Sequence, residues 1–568
     1  MLPRAKAETV TSLDVSRLPY AERLCAAALQ GLINRGGPKI YLDYGIYDDP
    51  DARRTNEVFF DDELWFGKYR SLLGNQDQRN LEEYRQRYQL AITQESDLIG
   101  FISQHRESIS GLVIWDEDLP DTANIAVMLA GLEGLLPVTF SLAQQVGSLG
   151  LMVKEDLRRR WSDRLSLYQW AFDNLFRRCK SGVVACVEPE WQRPEFIDYL
   201  VQNQIFTYSL ASGAKGAGHT LLMLLAFGPP LLRELIFGLR LDGCLRRYAL
   251  WQMGKISGEA ALANRIQKAV KGEPYPTIFG WHTRRDDELS FMFQLSANGL
   301  RLVPSHLGGN YSFHSKLKAS GIQQKSRRQA AELDPEGIYL TFTLSDGDQL
   351  MMMHTGELGN WYHPARGKVP FNWEVQPLLA ELAPGLLEKY ISSATENDCL
   401  VAGPSGAGYI VPPLAPHLAK YMDETDKICQ RSGIQVVTSY VADPPRRTLR
   451  TLARHRGSLL GYLCGYAVVT RSPMHLIDGV PIIANRSPLV NEIALQSNEL
   501  LETVRQKITE SNERPCFIGV HLFAYRTTIE DVVNFVNVLD IPHLHVVRGD
   551  EFLLLASQAM RRRKNGKE

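Results

Sequence analysis

The segment Gly337-Ile-Tyr-Leu-Thr-Phe-Thr-Leu-Ser-Asp-Gly-Asp348 carries no charge until its last three residues. An apolar, β-branched run of this length is the pattern of a strand covered on both faces, as in a parallel α/β sheet. Asp346 and Asp348 then emerge at its carboxyl end, the edge where open α/β sheets and barrels place their ligands. Gly347 between them lets the backbone turn or approach a ligand closely. The same residues also fit an Asp-Gly hairpin signal, with Gln349-Leu-Met-Met-Met353 returning as a second strand.

Around this strand the chain alternates regularly. Before it come a strand at Thr277-Ile-Phe-Gly-Trp281, a helix at 286–297 closed by Gly299, and a strand at Leu300-Arg-Leu-Val303. After it the spacing predicts a helix at 375–392 and a strand at Cys399-Leu-Val-Ala402. A helix at 414–432, closed by Gly433, leads to a strand at 434–438. Further strands are predicted at 459–463, 480–483, 516–520 and 544–547, with helices at 498–509 and 529–539. Alternation over this length is the size of a (β/α) TIM-type barrel, and a doubly wound open sheet gives the same local pattern.

The N-terminal part reads differently. A strand at Leu112-Val-Ile-Trp115, a helix at 122–135 and a strand at Pro137-Val-Thr-Phe140 make a small α/β layer. Asp116, Glu117, Asp118 and Asp121 lie in its loop, as solvated acids or as ligands for a cation. Residues 151–178 read as an amphipathic helical stretch, 183–187 as a strand, and 190–272 as mostly helical. Gly213-Ala-Lys-Gly-Ala-Gly-His-Thr220 nearly fits a phosphate-binding loop, but His219 stands where that loop needs a lysine ammonium. The expected organisation is α/β and multidomain: an N-terminal α/β domain at 1–145 and a mostly helical middle at 146–274. A C-terminal (β/α) TIM-barrel-like domain at 275–560 and a basic tail at 561–568 complete it.

The 568 residues exceed what one core organises, and 63 basic against 64 acidic side chains leave a net charge of −1. That balance argues against a nucleic-acid partner. Pro229-Pro230 and Arg233-Glu234 break the apolar run at 221–237, which argues against a membrane span. The 8 scattered cysteines read as free thiols, and residues 1–11 lack the apolar core of a signal peptide, so a cytoplasmic location is expected.

Polar residues recur where the predicted strands end: Trp281 and His282, His306 and Asn310, Asp346 and Asp348, Ser405, Tyr440, Asn485 and His521. Gly403-Pro-Ser-Gly-Ala-Gly-Tyr-Ile-Val-Pro412 lacks the third glycine of a dinucleotide loop. A glycine-lined loop presenting Ser405, Gly406, Gly408 and Tyr409 suits a flat polar ligand, or is a tight structural turn.

Several of these segments resemble the GxGYxYP family of putative glycoside hydrolases. The naming motif stands as Gly406-Ala-Gly-Tyr-Ile-Val-Pro412, with Val411 where the family has Tyr. Similar segments are Leu29-Gln-Gly-Leu-Ile-Asn34, Gly280-Trp-His282, Asn310-Tyr-Ser-Phe-His314, Asp346-Gly-Asp348 and Asp550-Glu-Phe552. Together they span about residues 14 to 557. The resemblance implies smaller N-terminal domains, a barrel-like C-terminal domain and glycosidase chemistry, with many relatives secreted.

Such chemistry takes two carboxyls, for which Asp346 and Asp348 are the leading pair, with Glu374 the first substitute for either role and Glu357 a further one. Trp281, Trp373 and Tyr409 are candidate sugar-stacking faces. His282, His306, Asn310, Asn485 and His521 are candidate hydrogen-bonding partners of hydroxyls. The expected partner is a carbohydrate, with no cofactor and no resident metal; the oligomeric state stays open. Two other readings stay open. One is metal-dependent carbohydrate hydrolysis or deacetylation by Asp346 or Asp348 with His306, His314 or His521, although no His pair stands at i, i+4. The other is a non-catalytic carbohydrate-binding protein.

Overall fold

The computed structural model describes residues 9–45, 74–189, 196–212, 258–273, 275–286, 288–306, 308–326, 332–345, 347–439, 441, 444–465, 474–484, 514–524 and 528–565. Asp346, Tyr440, Asn485, the glycine-rich 213–220 segment, the apolar 221–237 run and the helix expected at 498–509 lie outside them. The chain divides into two compact units, Met1–Lys318 with Glu381–Leu386, and Ala319–Ala380 with Leu387–Glu568.

The described residues of the first unit form three parallel sheets. Strands β1 (Thr9–Asp14), β2 (Ile40–Asp43) and β3 (Ala91–Glu95) form one, in the order β2-β1-β3. Strands β4 (Gly111–Ile114), β5 (Leu135–Val138) and β6 (Val153–Asp156) form the second, in the order β5-β4-β6. Asp116 and Asp121 hold its loops in place. Asp116 Oδ2 accepts the Arg159 N–H at 2.7 Å, and Asp121 accepts the Tyr168 hydroxyl at 2.9 Å and pairs with Arg164 at 3.3 Å.

The third sheet contains β7 (Val183–Cys186), β8 (Phe206–Tyr208), β9 (Thr277–Gly280) and β10 (Arg301–Pro304), in the order β10-β9-β7-β8. This corrects one expectation: the strands at 277–280 and 301–304 belong to this sheet, not to a C-terminal barrel. The described part of residues 190–272 also holds a short strand at 206–208. Local alternation marks a segment as a strand, whereas partner choice depends on contacts remote in sequence; β9 lies beside β7, some ninety residues upstream. Likewise the stretch at 151–178 divides into β6 and a helix at Arg164–Asn174.

The second unit is built on one sheet of nine strands. They are β11 (Ile338–Ser345), β12 (Phe371–Val375), β13 (Asp398–Ala402), β14 (Val436–Ser439), β15 (Gly461–Cys464), β16 (Met474–Ile477), β17 (Val480–Ala484), β18 (Cys516–Phe523) and β19 (Leu544–Val546). The path runs β16-β17-β15-β14-β13-β12-β11-β18, with β19 also on β11. Every pair is parallel except β16–β17. Among the described residues this path is open, with β16 and β18 at its ends, so these strands form no closed TIM-type barrel.

Gln349–His354 is a helix, not the returning strand of a hairpin. Val375, expected to begin a helix, is the last residue of β12. The helix Gly549–Asn565 covers one face of the sheet at its amino-terminal half. There Phe552, Leu553, Leu555, Ala556 and Ala559 share a core with Tyr339, Val401, Val436, Leu463, Ile483 and Phe517. The Arg562, Arg563 and Lys564 side chains of the expected tail belong to this helix's last turn, where cations complement the negative end of the dipole. Among the described residues no helix is long and apolar enough to cross a membrane.

Candidate active site

Successive strand residues face opposite sides of a sheet, so the face that bears Tyr339 also bears Thr341, Thr343 and Ser345. In register beside them are Phe517, Gly519 and His521 on β18. This face is therefore apolar under the last helix and polar toward the carboxyl edge of the sheet. Asn372 and Glu374 belong to it as well. Asn372 Nδ2 donates to Thr341 Oγ1 at 2.8 Å, and Asn372 Oδ1 accepts the Gly549 N–H at 2.6 Å.

Glu374, 2% exposed, is the centre of the polar edge. Its Oε1 accepts the Gln349 amide at 2.6 Å and the Ser345 hydroxyl, and its Oε2 accepts the Thr438 hydroxyl. Thr438 stands on β14, so Glu374 reaches across the end of β13, and the residue there is Gly403. A Cβ at Gly403 would collide with Glu374 Oε2 and Thr438 Oγ1. A carboxylate offers only acceptors, and three donors converging on it favour its charged form.

Asp348 precedes the Gln349 helix and is half-buried. Gly347 turns the chain at φ +93 and lies against Tyr409, whose Cε1 is 3.6 Å from the position of a Cβ there. Tyr409 itself is buried. His521 is buried, with Nδ1 donating to the Gly465 carbonyl, and burial lowers its pKa to about 4, so it is neutral near pH 7.

The GxGY loop is a packed turn. Ser405 and Gly406 have φ +69 and +115, and Ser405 Oγ donates to the Ile410 carbonyl at 2.8 Å. Ala407 N–H donates to Thr425 Oγ1 at 3.1 Å, and the Tyr421 hydroxyl ties the Ser405 and Gly408 carbonyls together. Ser405 therefore spends its hydroxyl on the turn rather than offering it to a ligand.

Two other candidates are corrected. Trp373 is 0% exposed, with its ring against Trp361 and Phe371 and its indole N–H on Asp398 at 2.8 Å, so it has no free face for a sugar. It neighbours Glu374 in sequence and for that reason points to the other side of the sheet. Asn310, 0% exposed, is a structural link: its amide donates to Leu42 O at 2.8 Å and accepts from Leu42 N and Gln30 Nε2 at 2.8 and 2.7 Å.

Trp281, His282 and His306 gather in the first unit at the ends of β9 and β10. Trp281 lies 5.4 Å from His282 and 5.3 Å from His306 between ring centroids. His314 is buried among Tyr41, Tyr84 and Phe313. Among the described residues no three His, Cys, Asp or Glu side chains are grouped to hold a metal ion. The structure also adds Ser345, Gln349 and Thr438 to the site. Their signal in sequence was position alone, since each lies at or just after the end of a predicted strand.

Fold and site define a multidomain α/β protein whose main parallel sheet presents a clamped carboxylate at its carboxyl edge. Residues 336–557 match the description "GxGYxYP putative glycoside hydrolase C-terminal domain", and residues 109–179 match "GxGYxYP_N second domain". The chain belongs to the GxGYxYP family of putative glycoside hydrolases. It is similar in fold to the crystal structure of a putative hydrolase from Bacteroides thetaiotaomicron, with a TM-score of 0.74 and 18% identity over 98% of this chain and 96% of that one. No curated protein matches it.

Proposed function

We propose that the protein hydrolyses a glycosidic bond at the carboxyl edge of β11 and β12. The observation that supports this reading is the clamp on Glu374, whose two oxygens accept three side-chain donors from three segments. A carboxylate kept charged in a buried edge has the character of the base or nucleophile in such hydrolysis, while a second carboxyl protonates the leaving oxygen. Asp348, less buried and placed after the turn at Gly347, takes that second role, with Asp346 its alternative. Tyr409 and His521 border the same edge and take the part of substrate contacts. With Trp373 in the core, a binding surface built on three stacking aromatics is the weaker reading.

The test is release of sugar from a panel of aryl glycosides and oligosaccharides by the full chain. Glu374→Gln is expected to lower kcat by roughly 10³-fold, and Asp348→Asn or Asp346→Asn by a similar factor. Wild-type turnover in all three variants, or no hydrolysis of any panel member, overturns the reading.

A further inference from the structure

The helix Arg446–Arg454 reads Arg-Arg-Thr-Leu-Arg-Thr-Leu-Ala-Arg, with four arginines and no acid in its nine residues. Its period sorts them by face. Thr448, Leu449, Leu452 and Ala453 are buried, while Arg446, Arg447, Arg450 and Arg454 are exposed on the opposite side. Arg446, Arg450 and Arg454 succeed one another at intervals of about 6 Å along the axis, with Arg447 beside the first. They form a single line of guanidinium groups about 12 Å long.

The acids nearest in the fold are engaged elsewhere. On the neighbouring helix Leu418–Ser432, Asp423 bonds His455 at 2.9 Å, Asp426 accepts the Ser458 N–H at 2.8 Å, and Glu424 lies 3.7 Å from Lys427. Arg454 pairs with Asp478 at 3.7 Å, an exposed contact of little strength. Arg446, Arg447 and Arg450 form no ion pair among the described residues. At their end of the helix the N-cap is Pro445, which makes no side-chain cap, so the first-turn N–H groups add partial positive charge.

Topology sets this line beside the proposed chemistry. β14 and β15 are parallel neighbours, so the chain leaves β14 at the carboxyl edge and returns to the amino edge before entering β15. The helix lies on that return, pinned by the Tyr462 hydroxyl, which donates to Leu452 O at 2.9 Å. Its first turn is therefore its end nearest the carboxyl edge, where Thr438 of β14 holds Glu374.

We propose that the helix Arg446–Arg454 binds a polyuronate, a polysaccharide with one carboxylate on each sugar, as it runs from the carboxyl edge of the sheet. The proposal rests on the reading of that edge as a glycosidase site and names its substrate class. A row of carboxylates complements a row of guanidinium groups, and the planar carboxylate meets the guanidinium fork through two parallel hydrogen bonds. The exposed face carries no aromatic ring on which bases could stack, which disfavours single-stranded nucleic acid.

Binding to the full chain carrying Glu374→Gln tests this, because hydrolysis then plays no part in the readout and an inactive glycan panel leaves the result untouched. Hexagalacturonate is expected to bind, more weakly as salt rises, and neutral maltohexaose is not. The combined variant Arg446→Gln, Arg447→Gln and Arg450→Gln should lose affinity by roughly tenfold or more. A control that removes three exposed cations of the first unit, Lys154→Gln, Arg177→Gln and Lys268→Gln, should keep it. All six side chains are exposed, and thermal melting checks that both variants fold. No binding of hexagalacturonate, or equal affinities in the two variants, overturns the proposal. So does tighter binding of a thymidine heptanucleotide, or of maltohexaose sulfated once per sugar.

Discussion

Trp373 and Glu374 are neighbours with opposite fates, and the pleat of β12 accounts for it. One packs into an apolar layer with its indole N–H paired; the other points to the polar edge and gathers donors. His521 shares that polar face and supplies a pH signature of the fold. Burial lowers its pKa from 6.5 to about 4. Below pH 6.5 the unfolded chain takes up a proton on this imidazole that the folded chain refuses. Stability is therefore lost as pH falls from 6.5 toward 4, by up to about 3 kcal/mol. Glu and Asp titrations overlap this range, so the comparison is with His521→Gln. Its unfolding free energy should fall less steeply over the same window, and equal slopes for variant and wild type would contradict the burial of the ring.

Two Asp-Gly pairs of the chain are followed by different elements. Asp346-Gly347 stands in sequence just before the helix Gln349–His354. Asp478-Gly479, at φ +50 and +80, closes the hairpin of β16 and β17, in which Ile477 pairs with Val480. The flanks separate them: Leu-Met-Met-Met follows the first, and these are helix formers. Val-Pro-Ile-Ile follows the second, with the β-branched residues that strands favour. Gly479→Ala should destabilise the protein by about 1 kcal/mol, because alanine resists the left-handed conformation. Asp478→Asn should be close to neutral, since asparagine tolerates it. Urea unfolding of the two variants measures the difference, and a neutral Gly479→Ala would argue against this turn. β12 escaped the sequence reading for a related reason. Phe-Asn-Trp-Glu-Val has aromatic strand character but lies directly before a longer helical pattern, which masks it.

Each unit has its own sheets, and the larger sheet depends on the chain's last helix. Phe552 is buried among Tyr339, Phe517 and the neighbouring strand residues, which leaves no room for a charge. Phe552→Asp should therefore lower stability by more than about 3 kcal/mol and reduce the soluble yield, as read by thermal melting and by expression. A wild-type melting temperature would mean that the helix does not close this core.

Several strands and the helices between them were legible in the chain, because they rest on local periodicity, whereas β8, β12 and β16 were not. Ile338 to Leu344 was readable as a buried strand ahead of two acids, and Val480 to Ile483 as another strand. Family membership was legible too, through short motifs such as Gly406-Ala-Gly-Tyr409. What required folding was the choice of partners: β9 beside β7, β18 and β12 on either side of β11, and an open path where a barrel was expected. The same holds for the site. Glu374 acquired Thr438 only because the side-chain-free Gly403 lets them meet across β13, and Ser405 lost its hydroxyl to its own turn. Periodicity acts between residues a few positions apart, whereas register, close approach and hydrogen bonding join residues tens to hundreds of positions apart. Such contacts exist only once the sheet has formed.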